Sequence, residues 1–236
     1  MIRFAVRVLV VLFLATAIAR AEEPKYQPHY LKPDAIDVVA LLPDPPADDS
    51  AEHREELNLL LKLQQDRTAA DVARCTEEED HFSVFEFADV LGPNFSAETC
   101  PKTAAFFKRT LQPDVAYFNK LAKNHWNRPR PANDPRIQAL FVEKDGSYPS
   151  GHSIRATVFG EMLAALVPQD REKLIARSQQ IGWDREIAGV HFASDIYAGR
   201  ILGKALANAL LANAEIKAQL EALRPEITQA LASQVK

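Results

Sequence analysis

Two features that this sequence largely lacks restrict its fold class. Glycine occurs 8 times in 236 residues, and runs of alternating β-branched residues are almost absent. A sheet protein needs such alternation, because successive side chains of a strand face opposite sides of the sheet. The apolar residues recur instead mainly at helical spacing. The sequence therefore predicts an all-α fold, and the absence of repeats, low-complexity tracts and linkers predicts a single domain.

The chain also lacks an apolar run long enough to cross a bilayer. Its longest uncharged run, residues 8–19, has about 12 residues, whereas a spanning helix needs about 20. Basic residues precede this run, and Ala19-Arg20-Ala21 follows it with the small-x-small form of a cleavage site. We therefore predict a cleaved signal peptide over 1–21 and a soluble, periplasmic domain over 22–236. A membrane anchor is the alternative for the first segment.

Cysteine is scarce, with Cys75 and Cys100 alone in the sequence. An exported chain meets an oxidising compartment, where an even number of cysteines favours a disulfide. We expect Cys75 and Cys100 to be bonded to each other, and two unpaired buried thiols are the alternative. Neither cysteine lies near the motifs described below, so we assign them no catalytic role.

Positive charge does not dominate the chain. The net charge is −4, and it becomes more negative without the first 21 residues, which hold three arginines and no acid. A protein that binds nucleic acid needs a basic face, so we expect no nucleic-acid partner. A local cluster of cations would be conspicuous on such a body.

Helix start and stop signals divide the rest of the chain. Asp49 with Glu52 resembles a capping box, Thr68 and Asp71 mark the next start, and Ser194 is the expected N-cap of the helix at 195–212. The expected helices span about 49–67, 68 onward, 82–91, 101–123, 152–166, 170–190, 195–212 and 214–236. A break is expected at Pro225, and residues 126–148 form a long irregular stretch of the kind that is often functional. Amphipathic helices near 55–63 and 214–231 are candidates for the interface of a homo-oligomer.

The first chemical motif is Pro149-Ser150-Gly151-His152, at the start of an apolar helix. Helix N-termini present unpaired backbone N–H groups and a positive dipole end, which suit an anion. Gly151 lets the backbone approach an oxyanion closely, and the Ser150 hydroxyl can add a hydrogen bond. Alone, the motif predicts only a helix start.

A second motif combines Lys123 with Arg130-Pro131. The prolines of Arg128-Pro129-Arg130-Pro131 stiffen the backbone and hold the arginine stems in an extended path. Stiff presentation suits bidentate recognition of phosphate oxygens. A solvated basic loop is the alternative.

The third motif contains Arg185, His191 and Asp195. Asp195 follows His191 by four residues, so one helical turn can bring its carboxylate to the imidazole, where it would fix the tautomer and raise the nucleophilicity of the other nitrogen. A surface ion pair is one alternative. A metal site of His152, His191 and Asp195 is another, which we disfavour because metal sites rarely gather three permanent cations. We expect no cofactor.

Together these segments resemble the signature of the type 2 phosphatidic acid phosphatase superfamily, and more closely the class A bacterial non-specific acid phosphatases. That signature reads K-x6-RP, PSGH and SR-x5-H-x3-D. The order fits, with 17 residues between Pro131 and Pro149 and 32 residues between His152 and Arg185. The resemblance implies a helical bundle of the acid phosphatase/vanadium-dependent haloperoxidase type.

The resemblance also implies roles. His191 would attack phosphorus and form a phosphohistidine, Asp195 would orient it, and His152 would protonate the leaving alcohol. The groups expected to hold the phosphoryl oxygens are Lys123, Arg130, Ser150, Gly151 and Arg185. His152 must be protonated while His191 is neutral, which predicts a bell-shaped pH profile with an optimum below neutrality.

The resulting prediction is a secreted, metal-independent acid phosphatase acting on small phosphate monoesters. The alternatives are a vanadium-dependent haloperoxidase, a lipid phosphate hydrolase and a non-catalytic phosphate-binding protein. One position departs from the family pattern, since Asp184 stands where the family has serine. Its carboxylate would either repel phosphate or point away and pair with a cation, so we leave it out of the site.

Overall fold

The fold was analysed in a computed structural model that describes residues 27–232. The signal peptide predicted over 1–21 lies outside the described residues. The described part contains helices and no strand, which confirms the predicted all-α class. The α-helices are α1 Val38–Leu41, α2 Ala51–Asp66, α3 Ala69–Asp80, α4 Ala88–Leu91, α5 Pro101–Ala105, α6 Gln112–Trp126, α7 Gly151–Leu166, α8 Arg171–Ile187, α9 Ala193–Ala212 and α10 Ala214–Ala232.

Side-chain caps fix several helix starts. Thr68 and Asp71 form the reciprocal capping box that the sequence predicts at the start of α3. The cap of α2 is Ser50, one residue after the predicted Asp49, and its hydroxyl accepts a hydrogen bond from the His53 N–H at 3.0 Å. Ser194 was predicted to cap the ninth helix, but α9 begins at Ala193 and its first turn is closed by Asp195 instead.

Three helices differ from their predicted form. The helix expected over 101–123 is divided into α5 and α6 by a π-helical segment, Phe106–Thr110. The helix expected over 82–91 is a 3-10 helix, Val84–Phe87, followed by the short α4. Pro225 lies inside α10 without ending it, so the predicted break there is wrong. Proline removes one backbone hydrogen bond from a helix. The continuous apolar face of α10, buried on both sides of Pro225, keeps the helix together.

The core is organised around α7, which is buried along nearly its whole length and packs against α8 and α9. Gly199 and Gly203 allow α9 to cross it closely. A Cβ at Gly199 would lie 2.7 Å from the Cβ of Ser153, and one at Gly203 would lie 2.7 Å from the Cβ of Thr157. This close crossing brings the start of α7, with Ser150-Gly151-His152, next to the start of α9, with His191 and Asp195.

The predicted disulfide between Cys75 and Cys100 is not formed, because the two residues lie in different parts of the core. Cys75 packs with Ile187 and Val190, and its thiol donates to the carbonyl of Asp184 at 3.3 Å. Cys100 belongs to the main apolar cluster. Both thiols are free and buried, and burial raises the pKa of Cys75 to about 12.

Crossing a bilayer takes a long, apolar helix, and the part of the chain that the structure describes contains none that meets both conditions.

Candidate active site

The three motifs converge on one cavity of about 920 Å³. Lys123, Arg130, Gly151, His152 and His191 all line it. The other predicted site residues, Ser150, Arg185 and Asp195, lie just behind these and contact the residues or helix starts that form the cavity wall. The fold thus brings all eight predicted site residues together, although they come from α6, the long loop, α7, α8 and α9.

His191 follows the end of α8 and is 1% exposed. Its Nδ1 lies 3.2 Å from Oδ2 of Asp195, and its Nε2 lies 2.9 Å from Nη1 of Arg130. Because a carboxylate can only accept and a guanidinium can only donate, the proton belongs on Nδ1 and the lone pair on Nε2. Burial lowers the pKa of His191 to about 3, against the opposing effect of Asp195. The ring is therefore neutral, with a nucleophilic nitrogen at the cavity.

Asp195 is buried and fully held by donors. Arg128 Nη1 donates to Oδ1 at 2.7 Å, and the backbone N–H of Phe192 donates to Oδ2 at 2.9 Å. The hydroxyl of Ser147 also donates to Oδ2. Burial alone would raise the pKa of Asp195, but the hydrogen bond with His191 and the charge of Arg128 keep it at about 2. The carboxylate stays ionised and fixes the imidazole.

Arg128 is a buried residue of the site to which sequence reasoning gave no role. Besides Asp195, its guanidinium donates to Oε2 of Glu56 at 2.7 Å and to the hydroxyl of Ser194 at 2.8 Å. It also lies over the ring of Phe192, 4.0 Å from the centroid. The repeated arginine-proline step was the sequence signal that could have identified Arg128. Arg128 holds the carboxylate of Asp195, whereas Arg130 reaches the cavity.

Lys123 and Arg130 meet at the carboxylate of Asp145. Lys123 Nζ lies 2.8 Å from Oδ2, and Arg130 Nη2 lies 2.6 Å from Oδ1. Backbone carbonyls hold the rest of both cations, with Gly146 accepting from Lys123 at 2.7 Å and Val190 accepting from Arg130 at 2.8 Å. Burial and the charge of Arg130 lower the pKa of Lys123.

Arg185 and His152 meet at a second carboxylate, that of Glu79 at the end of α3. Arg185 is fully buried, and its Nη2 donates to Oε2 of Glu79 at 2.5 Å. Its Nε and Nη1 are buried and have no hydrogen-bond partner among the described residues. His152 Nε2 lies 3.9 Å from the same oxygen. Burial, Arg155 and Arg185 lower the pKa of His152 well below its usual value.

Ser150 and Gly151 form the helix start that the sequence predicts. The Ser150 hydroxyl accepts from the N–H of Ser153 at 3.4 Å and caps α7, while its backbone N–H donates to the carbonyl of Asp195 at 3.0 Å. A Cβ at Gly151 would lie 3.1 Å from Nδ2 of Asn119. A side chain there would crowd the cavity wall.

Asp184 points away from the cavity. Its carboxylate is fully buried and accepts from Arg74 at 2.7 and 2.9 Å and from Gln180 at 2.9 Å. Arg177 lies 4.0 Å away. Of the two alternatives for this position, the structure shows a carboxylate that points away and pairs with a cation, Arg74, and not with Arg185.

One group in the described part could hold a metal ion by distance. The ligand atoms of Glu79, Glu143 and His152 lie within 4.8 Å of one another. This set differs from the His152, His191 and Asp195 set considered from the sequence. Arg155 and Arg185 act on the same imidazole, and their positive charge opposes a bound cation there.

Sequence matches to known proteins support the family resemblance. The sequence model of the PAP2 superfamily matches residues 114–217, a range that contains all three motifs. The chain is 33% identical to an acid phosphatase of Zymomonas mobilis over 63% of this chain and 58% of that protein. It is 26% identical to a non-specific acid phosphatase of Salmonella typhimurium over 82% of this chain and 81% of that protein.

Among solved structures, a transmembrane PAP2-type phosphatidylglycerolphosphate phosphatase from Bacillus subtilis matches with a TM-score of 0.48 and 18% identity. That match covers 72% of this chain and 87% of the other. The family resemblance predicted from the three motifs is confirmed by the sequence matches.

Proposed function

We propose that this chain is a secreted acid phosphatase of the PAP2 superfamily that hydrolyses small phosphate monoesters without a metal ion. The observation that carries the proposal is the state of His191. Its Nδ1 is held by Asp195 and its Nε2 faces a cavity lined by permanent cations. A neutral imidazole with one fixed nitrogen is a suitable nucleophile for phosphorus.

In the first half of the reaction, the phosphoryl oxygens bind to Lys123, Arg130, Arg185, Ser150 and the backbone N–H of Gly151. Nε2 of His191 attacks phosphorus in line, so that a P–N bond forms while the P–O bond to the alcohol breaks. His152 gives its proton to the leaving oxygen. The cations stabilise the charge of the transferring group, which is the largest part of catalysis in phosphoryl transfer.

In the second half, His152 accepts a proton from a water molecule that attacks phosphorus. The P–N bond breaks, inorganic phosphate is released, and His191 returns to its neutral form. Asp195 stabilises His191 while the ring carries the phosphoryl group, because a carboxylate on Nδ1 favours the positively charged ring.

The proton on His152 depends on the substrate. Burial and the charges of Arg155 and Arg185 lower the pKa of His152 well below the usual value. A bound phosphate dianion raises that pKa, since an opposite charge favours the charged form. Hydrolysis therefore requires a pH at which His152 can still be protonated in the complex, and we expect an optimum on the acid side of neutrality.

The contacts of Asp184 favour turnover over simple phosphate binding. A carboxylate facing the phosphate would have supported a non-catalytic binding protein. Asp184 instead pairs with Arg74, and Arg185 keeps two unpartnered donors. Lys123 and Arg130 line the cavity, and Arg185 lies behind its wall.

The test is hydrolysis of p-nitrophenyl phosphate in EDTA by the wild type and by His191→Ala. Activity should persist in EDTA and be lost in the variant, while His125→Ala, which removes an exposed histidine outside the cavity, should retain it. Rapid trapping and intact-mass analysis under conditions that preserve phosphohistidine should show one added phosphoryl group on His191. Full activity in His191→Ala would refute the mechanism. N-terminal sequencing of the exported protein tests secretion, and the mature chain should begin at Glu22.

A further inference from the structure

Arg155 is a cavity cation that the proposed phosphoryl chemistry does not use. It lies on α7, three residues after His152, and lines the same cavity as His191 and Lys123. Its Nη2 is 3.3 Å from Nε2 of His152. Burial and the charge of Arg185 lower its pKa to about 10, so the guanidinium remains charged at any pH at which a phosphatase works.

Arg155 differs from Lys123, Arg130 and Arg185 in lacking an ion-pair partner. Lys123 and Arg130 are paired with Asp145, and Arg185 is paired with Glu79. Within residues 27–232 no carboxylate lies at ion-pair distance from Arg155, although Glu79 and Glu143 are near enough to influence its pKa. Its donors therefore face the cavity without the carboxylates that occupy its neighbours.

The guanidinium is held in place by an aromatic ring. It lies over Phe82, 4.5 Å from the ring centroid, and Phe82 is stacked on Phe159 at 5.7 Å. A ring face attracts the cation but accepts no strong hydrogen bond from its edge. This contact orders the side chain and leaves the planar fork of donors for an anionic ligand.

The position of Arg155 relates it to the leaving alcohol. His152 gives its proton to the leaving oxygen, so the alcohol must depart past the Nε2 atom that Arg155 contacts. We propose that Arg155 is a specificity residue that binds a second anionic group, a carboxylate or a second phosphate, on the alcohol of the substrate. This inference rests on the proposed function and adds a substrate class to it.

Two other roles for Arg155 make a different prediction. If it only balanced the charges of Glu79 and Glu143, or only held the transferring phosphoryl group, its loss would affect all phosphate monoesters equally. A residue that binds a second anion affects the substrates that carry one.

The experiment compares D-3-phosphoglycerate with sn-glycerol 1-phosphate, which share the configuration at the central carbon and differ only in a carboxylate against a hydroxymethyl group. The measured quantity is the ratio of their kcat/KM values, and p-nitrophenyl phosphate serves as the reference for activity. In Arg155→Gln this ratio should fall by about tenfold or more, because a charge-assisted bidentate contact is lost. Lys108→Gln removes another, exposed cation of the cavity and should change the ratio less than threefold.

The outcomes separate the inference from the proposed function. If the wild type does not hydrolyse p-nitrophenyl phosphate, the proposed function fails and the inference fails with it. If the wild type is active but the ratio in Arg155→Gln is unchanged, the inference alone is refuted. Arg155→Lys keeps the charge but not the fork, so it should lose only part of the ratio; it also provides the measurement should the glutamine variant not fold.

Discussion

The carboxylate of Asp145 is paired with Lys123 and Arg130, two of the cations proposed to hold the phosphoryl group. It lies 2.8 Å from Lys123 Nζ and 2.6 Å from Arg130 Nη2, and it belongs to a loop rather than to the helical core. A phosphate ion that binds to these cations must displace it. We therefore predict that Asp145→Asn binds inorganic phosphate more tightly than the wild type does.

The size of this effect follows from the exposure of the carboxylate. The Asp145 side chain is 47% exposed, so its ion pairs are partly screened by solvent. Pairs of this kind contribute about 0.5–1 kcal/mol each, and two of them contribute about 1–2 kcal/mol. That free energy corresponds to roughly a five- to thirtyfold lower inhibition constant for phosphate. The difference should shrink as ionic strength rises, because salt screens exposed charges.

The assay is competitive inhibition of p-nitrophenyl phosphate hydrolysis by inorganic phosphate. Glu143→Gln is the graded control, since Glu143 lies 3.6 Å from Arg130 and has no ion pair with Lys123, so its effect should be smaller. Weaker binding of phosphate by Asp145→Asn would refute the reasoning. It would mean that Asp145 positions Lys123 and Arg130 for phosphate and does not compete with it.

Two further predictions concern the stability of the fold. Arg74→Gln should lower the free energy of unfolding by about 3 kcal/mol, because it leaves the fully buried Asp184 carboxylate without its main partner. Asp184→Asn should cost only about 1–2 kcal/mol, because Arg74 is 34% exposed and can turn to water. Urea unfolding measures both free energies, and a larger loss in Asp184→Asn than in Arg74→Gln would contradict the argument. The double variant should be more stable than Arg74→Gln alone, because it no longer buries an unpaired carboxylate. Stability should also fall as the pH is lowered from about 6.5 toward 3, since unfolded His191 binds a proton in that range and the folded residue does not. His191 contributes at most about 1.4 kcal/mol per pH unit to the slope of stability against pH, and it contributes no slope above about pH 6.5. An equally steep slope in His191→Asn would assign the effect to other groups.

Local chemistry in the sequence was sufficient for some of these features. The Thr68–Asp71 capping box and the start of α7 at Gly151 each depend on residues within one turn of each other, so a pattern can predict them. The spacing of His191 and Asp195 likewise predicts their contact, which is observed at 3.2 Å. The family resemblance then implied that distant segments meet.

Other features depend on contacts between distant segments that no spacing reveals. Arg128 reaches Glu56 and Asp195, which are 72 and 67 residues away in the chain. The pairing of Asp184 with Arg74 joins α8 to α3. The disulfide prediction failed for the same reason, because two cysteines in an oxidising compartment are bonded only where the fold places their Cβ atoms close together.

In the proposed reaction, the carboxylates at the cavity serve both stability and turnover. Cations as buried as Lys123 and Arg185 would be costly in the folded state without opposite charges, and Asp145 and Glu79 supply them. Phosphate must exchange with these carboxylates, so it gains less free energy than an unoccupied cluster of cations would provide. This weakens the binding of product phosphate. The same exchange weakens the binding of substrate. Little is lost by this, because tight binding of the ground state lowers KM without raising kcat. The same pairs that stabilise the fold therefore keep the site from retaining its product.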